Sequence, residues 1–347
     1  MKNLTDIEAI KKIDPQNTFE STNLLAKQCE TAWQEVSTIE ISQEYSDIDN
    51  IVCCGMGASI YGALVTKALA GSDLKYPFEL VSDYHLPEYA NSKTLVILTS
   101  YSGTTEEVLS CAEEAKEKNC KILILTKGGQ LADFGKENKI PSYVFSGELN
   151  PAGVPRLGNG YSVLGLLGLL FKAGIIDVDE NLLKDALNNV FKDQEKIRNS
   201  ALEAVETFEN IIPIVLAAEH LSGNAQILRN QFNETSKTFS ALYLIPDLNH
   251  HLMEGLQFPK ENNLYFILLD SDNYSEKIKK RVLLTRDVIL KNGHKVFDYN
   301  PKGKNKYEDF LKTMIFGSYI TLYLGLIYDQ NPAVNPWVDY FKEELKK

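Results

Sequence analysis

The sequence predicts an α/β protein of two tandem, doubly wound units, each a parallel sheet flanked by helices. Three observations predict it. Short, continuously apolar, β-prone runs alternate with segments of helical periodicity, the pattern of strands covered on both faces. The alternation occurs twice, once before residue 150 and again after Pro213. And 347 residues suffice for two substantial cores. The expected organisation is a first unit over 1–157 with leading helices, a helical connection over 158–205 and a second unit over 206–347.

The elements follow in order. The chain to about Val36 has helical spacing. Asn50 to Cys54 is an apolar run ending in Gly55-Met56-Gly57, and Ala58 to Leu69 reads as a helix. Strands are predicted at Pro77 to Ser82, Thr94 to Thr99, Lys121 to Thr126 and Ser142 to Phe145, with helices at Thr105 to Asn119 and Gln130 to Asn138. Pro151, Gly153, Pro155, Gly158 and Gly160 form a boundary signal. Helices follow at Tyr161 to Ala173 and Asp179 to Glu203. In the second unit, strands are expected at Ile214 to Ala218, Ala241 to Ile245, Leu264 to Leu269 and Lys295 to Tyr299. Helices are expected at Asn224 to Ser236, Ser275 to Lys291 and Tyr307 to Tyr328. The two units share a layout but no obvious sequence repeat.

Composition narrows the function. A net charge of -11 disfavours nucleic acid, whose phosphates need a basic face. An anionic ligand must then be held by local donors and dipoles against the global field. The five cysteines form no CxxC pair, and no Cys/His cluster has zinc spacing. Such a set fits reduced thiols in the cytoplasm. The N-terminal stretch Met1 to Asp6 has no apolar signal core. The apolar run Tyr161 to Phe171 is too short for a membrane span and fits a core between units.

Two loops carry chemistry. Thr99 ends a strand, Ser100-Tyr101-Ser102-Gly103-Thr104-Thr105 follows, and a helix begins. Gly103 permits a tight turn and close ligand approach. The unpaired first-turn N–H groups and the helix dipole favour an anion there. Ser100, Ser102, Thr104 and Thr105 add neutral donors. A simple helix cap would need one hydroxyl, and here there are four. Gly55-Met56-Gly57-Ala58-Ser59 also joins strand to helix. It lacks the third glycine of a dinucleotide fingerprint, with Ile60 in its place, so no nicotinamide cofactor is expected. A second wall of the ligand site, with Ser59 reaching the anion, fits better.

These loops resemble the two glycine/serine loops of the sugar isomerase (SIS) fold and, more narrowly, the bifunctional phosphoglucose/phosphomannose isomerase family. Later segments agree in order: Val154-Pro155-Arg156, Asn233-Glu234-Thr235-Ser236-Lys237, Leu248-Asn249-His250, then Asn331-Pro332-Ala333-Val334 and Phe341-Lys342. The chain departs from the family pattern at Ala58, Thr104, Asp247, His251 and Asn335.

The resemblance implies an aldose–ketose isomerase. It would interconvert fructose 6-phosphate with glucose 6-phosphate, and mannose 6-phosphate, by proton transfer through a cis-enediol, without cofactor or metal. Glu234 would be the base, although alone it reads as ordinary helical surface charge. His250 would open the sugar ring; spacing does not separate it from His251, and the family pattern points to His250. Arg156 would stabilise the enediolate, and Lys342 would contact the ring oxygen or a hydroxyl. Ser59, Ser100, Ser102, Thr104 and Thr105 would hold the phosphate, with Gly57, Ala58 and Gly103 shaping the loops. Asn335 stands where the family often has threonine and would bear on mannose specificity. The resemblance also implies a cytoplasmic homodimer of carbohydrate metabolism, with no nucleic-acid or membrane partner. A non-catalytic sugar-phosphate sensor of the same fold is the alternative.

Overall fold

The computed structural model describes residues 4–345 and 347; Met1 to Asn3, part of the N-terminal stretch read above, and Lys346 lie outside the described residues. Helices α1 (Ile7–Ile13), α2 (Thr18–Asn23) and α3 (Leu25–Ser37) lead. The first unit runs β1 (Asn50–Gly55), α4 (Tyr61–Ala70), β2 (Phe78–Val81), β3 (Thr94–Ser100), α5 (Glu106–Glu117), β4 (Lys121–Thr126), α6 (Gly129–Glu137) and β5 (Ser142–Val144). Helices α7 (Asn159–Lys172) and α8 (Glu180–Ala204) connect it to the second. There follow β6 (Ile212–Ala217), α9 (Ser222–Glu234), β7 (Ala241–Leu244), α10 (Leu252–Gly255), β8 (Leu264–Leu269), α11 (Glu276–Lys291), β9 (Lys295–Tyr299), α12 (Lys306–Ile327) and α13 (Pro336–Glu344).

Both sheets are parallel, with orders β2-β1-β3-β4-β5 and β7-β6-β8-β9. Every residue of β3 is buried, which is why it reads as an unbroken apolar run. Each large aliphatic side chain so placed stabilises the fold by roughly 1.5–3 kcal/mol. Helices cover both faces, and one apolar cluster runs through both units.

The helix α12 is long and apolar enough to cross a membrane, but 94% of its apolar window is buried inside the protein. It is a core helix, packed on α8 and α9.

Two expectations change. β6 begins at Ile212 and includes Pro213, two residues earlier than predicted. The proline is the second residue of the strand, where it withholds one N–H from the ladder near its start; its carbonyl accepts from Ser240 Oγ at 2.7 Å. The Pro151–Gly160 segment is close-packed. A Cβ on Gly160 would lie 2.4 Å from Gln28 Cβ, and one on Gly158 would lie 2.4 Å from the Tyr101 ring. Helix α13 was not foreseen, because its exposed aromatic residues lack a face toward the core.

Candidate functional site

Parallel strands bring the loops after β1, β3 and β4 to one end of the first sheet, where α/β proteins bind ligands. The Ser100–Thr105 loop is locked there by backbone contact. Gly103 has φ +71°, and a Cβ on it would lie 1.7 Å from the Gly128 carbonyl oxygen. Lys127 N–H donates to the Tyr101 carbonyl (3.1 Å), and Leu131 N–H donates to the Gly103 carbonyl (3.0 Å). Only glycine fits at this crossing.

Within the loop, the hydroxyls divide by task. Ser100 is buried; its Oγ lies 2.7 Å from Thr105 Oγ1 and accepts from Gly103 N–H at 3.0 Å. It shapes the loop. Ser102 and Thr104 are exposed and bonded to each other (3.0 Å), open to a ligand. Thr105 is the N-cap of α5, yet no side chain caps that helix, and Glu106 and Glu107 occupy its first two positions. The capping box is therefore not formed, and the first-turn donors face outward without a side-chain acceptor. Ser59 Oγ accepts from Tyr101 N–H at 3.0 Å, which ties the Gly57-Ala58-Ser59 turn to this loop.

From the loop, contacts lead to the charged residues. Asn150 Nδ2 donates to Tyr101 Oη (2.8 Å) and to the Val154 carbonyl (2.9 Å). Ala58, Ser59, Tyr101 and Pro155 line one small crevice. Arg156 follows at once. Its guanidinium is 2% exposed. Nε donates to Thr235 Oγ1 (3.1 Å), Nη1 to Glu234 Oε2 (3.5 Å), and Nη2 to the carbonyls of Ala333 (3.0 Å) and Pro332. The Asn335 amide lies between the two, its nitrogen 3.3 Å from Glu234 Oε2. Turned so that both ends are satisfied, it accepts from Arg156 Nη1 (3.1 Å) and donates to the Glu234 carbonyl (3.1 Å).

This environment shifts its neighbours. Burial lowers the pKa of Arg156 and Glu234 opposes it, and the guanidinium stays charged. Burial, with the nearby Arg156 charge, brings the Lys237 ammonium down to about 8, although Glu234 acts the other way. Lys237 holds φ +56° and donates to the Glu234 carbonyl at 2.6 Å. Burial and the Glu234 carboxylate push the Tyr61 phenol well above its ordinary range.

Thus the structure gathers Gly57, Ala58, Ser59, Ser100, Ser102, Gly103, Thr104 and Thr105 on one side and Arg156, Glu234 and Asn335 on the other. It does not bring His250 or Lys342 to them. Glu234 ends α9, which descends toward the start of β7, whereas His250 follows the end of β7. The four residues of β7 alone span roughly 13 Å, so the two lie at opposite ends of the second sheet. His250 and Lys342 are exposed. Sequence reasoning missed Thr235, Lys237, Tyr101 and Asn150. Gly128-Gly129, one residue beyond the end of β4, was a signal; Asn150 offered none.

Comparisons with known proteins bear on the family and the fold. Residues 197–345 match the family model described as bacterial phospho-glucose isomerase C-terminal SIS domain. The chain is 30% identical to a bifunctional phosphoglucose/phosphomannose isomerase of Caldicellulosiruptor bescii, covering 94% of this chain and 98% of that one. It is 28% identical to the Aquifex aeolicus protein of the same name, covering 89% and 94%. Among solved structures, a glucosamine-6-phosphate deaminase of Thermotoga maritima superposes with a TM-score of 0.69 at 16% identity, covering 90% of this chain and 96% of that one. At that identity it bears on the fold alone.

Proposed function

Because the chain belongs to the bifunctional phosphoglucose/phosphomannose isomerase family, we propose that it interconverts fructose 6-phosphate with glucose 6-phosphate and mannose 6-phosphate, with the phosphate at Ser100–Thr105 and the proton transfer at Glu234. The observation that carries this assignment is the buried Arg156 guanidinium facing Glu234 Oε2 at 3.5 Å.

The roles follow from the chemistry. The phosphate is held by Ser102, Thr104, Thr105, Ser59 and the α5 N-terminus. Glu234 takes the proton from one of the two carbons and returns it to its neighbour. An enediolate oxygen develops negative charge meanwhile, and the Nη1 edge of Arg156 is fixed to meet it. The other donors of Arg156 are engaged by protein carbonyls and Thr235, so little reorganisation is needed when the charge appears. Asn335 contacts both partners and is the proposed specificity residue. Lys342 lies seven residues after Asn335, on the same face of α13 and roughly 10 Å along it. It reaches substrate only through its own length or a shift of α13.

His250 opens the ring in this mechanism, yet one protomer keeps it away from Glu234. A homodimer in which the partner presents His250 resolves this. The exposed apolar residues of α13, with Trp337 83% and Phe341 60% exposed, support such association. The cytoplasm is the proposed compartment, supported by five unpaired cysteines.

The direct test incubates the protein with fructose 6-phosphate and assays both aldose phosphates. Turnover to either is expected, and binding without turnover would assign a sensor instead. For the dimer, Glu234→Gln and His250→Ala protomers are mixed after separate purification. Random pairing restores about a quarter of the activity if each site draws on both chains. No recovery, with exchange demonstrated, places His250 outside the site.

A further inference from the structure

The strand order β7-β6-β8-β9 of the second unit matches β2-β1-β3-β4 of the first. The loops after β6, β8 and β9 are therefore counterparts of those that build the phosphate loop's surroundings. The match extends to the backbone. Thr105 is the N-cap of α5 and Ser275 that of α11, so Asp270–Ser275 corresponds to Ser100–Thr105. A 3₁₀ turn begins at Gly57 after β1 and at Glu219 after β6. Both residues are left-handed, with φ +54° and +41°.

The side chains differ. Nothing lies within 4 Å of the position a Cβ on Gly57 would take. Glu219, in the same conformation, reaches across. Its Oε2 accepts from Ser275 N–H (3.0 Å) and its Oε1 from Ser275 Oγ (2.6 Å). Its carboxylate thus sits on the N-cap residue of α11, at the position that Thr105 holds before α5. Deeper, Asp309 in the first turns of α12 is fully buried. Its Oδ2 accepts from Ser271 Oγ (2.5 Å) and Asn273 Nδ2 (2.8 Å) and lies 3.1 Å from His220 Nε2, while Oδ1 accepts from Gly303 N–H (2.9 Å). His220, Ser271 with Asn273, and Gly303 come from the three different loops. In the first unit the same three loops bond one another directly, with no carboxylate between them.

Left-handed φ is unfavourable for glutamate, and a buried carboxylate needs this many donors. Both features are accounted for if the second unit retains the donor arrangement of an anion site. We propose that the second unit carries a plugged copy of the phosphate cradle: the carboxylates of Glu219 and Asp309 supply from within the chain the charge a phosphate monoester supplies in the first unit. A small oxyanion enters once Glu219 is removed. A groove of about 480 Å³, lined by Lys67, Glu219, Ser222 and Gly223, reaches Glu219. The inference rests on the assignment of the substrate phosphate to Ser100–Thr105.

The test is calorimetric titration with inorganic phosphate at fixed ionic strength. It compares wild type, Glu219→Gly, the Ser102→Ala/Thr105→Ala double variant and the triple variant. Glycine suits the backbone at 219, so Glu219→Gly is expected to fold and keep isomerase activity. One phosphate per protomer is expected for wild type, two for Glu219→Gly, and only the new one for the triple variant. A single phosphate in Glu219→Gly overturns the inference. If the double variant binds as wild type does while Glu219→Gly still gains a site, the first-unit assignment has failed and the second-unit site stands. Asp309→Ala is expected to lose about 10 °C in Tm, recovered at least half by formate but not by chloride. Asp309→Asn, which fills the space, is expected not to respond. If Asp309→Ala does not fold, its refolding yield in formate against chloride is the readout. No formate-specific recovery, or equal recovery in Asp309→Asn, removes Asp309 from the plug.

Discussion

Arg156 Nη1 and Glu234 Oε2 face each other at 3.5 Å across 78 residues of sequence, one from the junction after the first sheet and one from the end of α9. The proposed proton-transfer base and its proposed oxyanion partner are thereby set side by side. Glu234→Gln keeps the shape and the Arg156 contact but cannot take a proton. A fall in kcat on the order of 10³-fold is expected, with fructose 6-phosphate binding within about threefold of wild type. Steady-state kinetics with calorimetric binding checks this; near-wild-type kcat would remove Glu234 from the role.

Arg156→Lys retains the charge but not the fork. The carbonyls of Pro332 and Ala333 and the Thr235 hydroxyl lose their donors. A loss of about 1–3 kcal/mol and about 10²-fold in kcat is expected. Thermal melting and kcat on fructose 6-phosphate measure both; an unchanged kcat would contradict a charge-stabilising role.

The alkaline behaviour follows from Lys237. Its folded pKa of about 8 lies below the ordinary value for lysine. Above pH 8 the folded protein holds fewer protons here than the unfolded chain, so this residue makes stability rise with pH between 8 and its unfolded pKa. Activity changes oppositely, because a positive charge beside Glu234 and Arg156 is lost. kcat/KM is expected to fall above pH 8 in wild type. Lys237→Asn, which tolerates the left-handed backbone, should abolish that limb. A limb that persists unshifted assigns it to another group.

Ser102→Ala with Thr105→Ala removes one open hydroxyl and the anchor of Ser100. KM for fructose 6-phosphate should rise about tenfold or more with kcat little changed, because the phosphate contact is present in ground and transition states alike. An unchanged KM would locate the phosphate elsewhere.

Gly103→Ala places a methyl 1.7 Å from the Gly128 carbonyl oxygen in a left-handed residue. Neither backbone can yield without moving the other loop. A loss of several kcal/mol and of phosphate binding is expected. Melting temperature and phosphate titration report it; a stable, binding-competent variant would show that the two loops are not interlocked.

Much of this was legible in sequence, for local reasons. β3, its loop and α5 change period from continuous to helical within a few residues, and Gly103 sits where the turn needs it. The resemblance named Arg156, Glu234 and Asn335 together, but only the fold shows Asn335 touching both. The left-handed backbone of Lys237 and its ammonium on the Glu234 carbonyl depend on how α9 ends, which no spacing announces. The separation of Glu234 from His250 depends on β7 running parallel to β6. An antiparallel strand between them would have returned His250 to the same end.

The carbonyls of Pro332 and Ala333 that seat Arg156 lie beyond every strand and beyond the long core helix. On the ribosome, β9 is complete by residue 299 and α12 by 327, before those carbonyls have been joined to the chain. Folding and competence are therefore separate events in time. A nascent or proteolytically clipped molecule ending before residue 332 would contain both sheets and still lack the carbonyls that seat Arg156, so on the proposed mechanism solubility and native-like spectra would overstate the number of working molecules in a preparation.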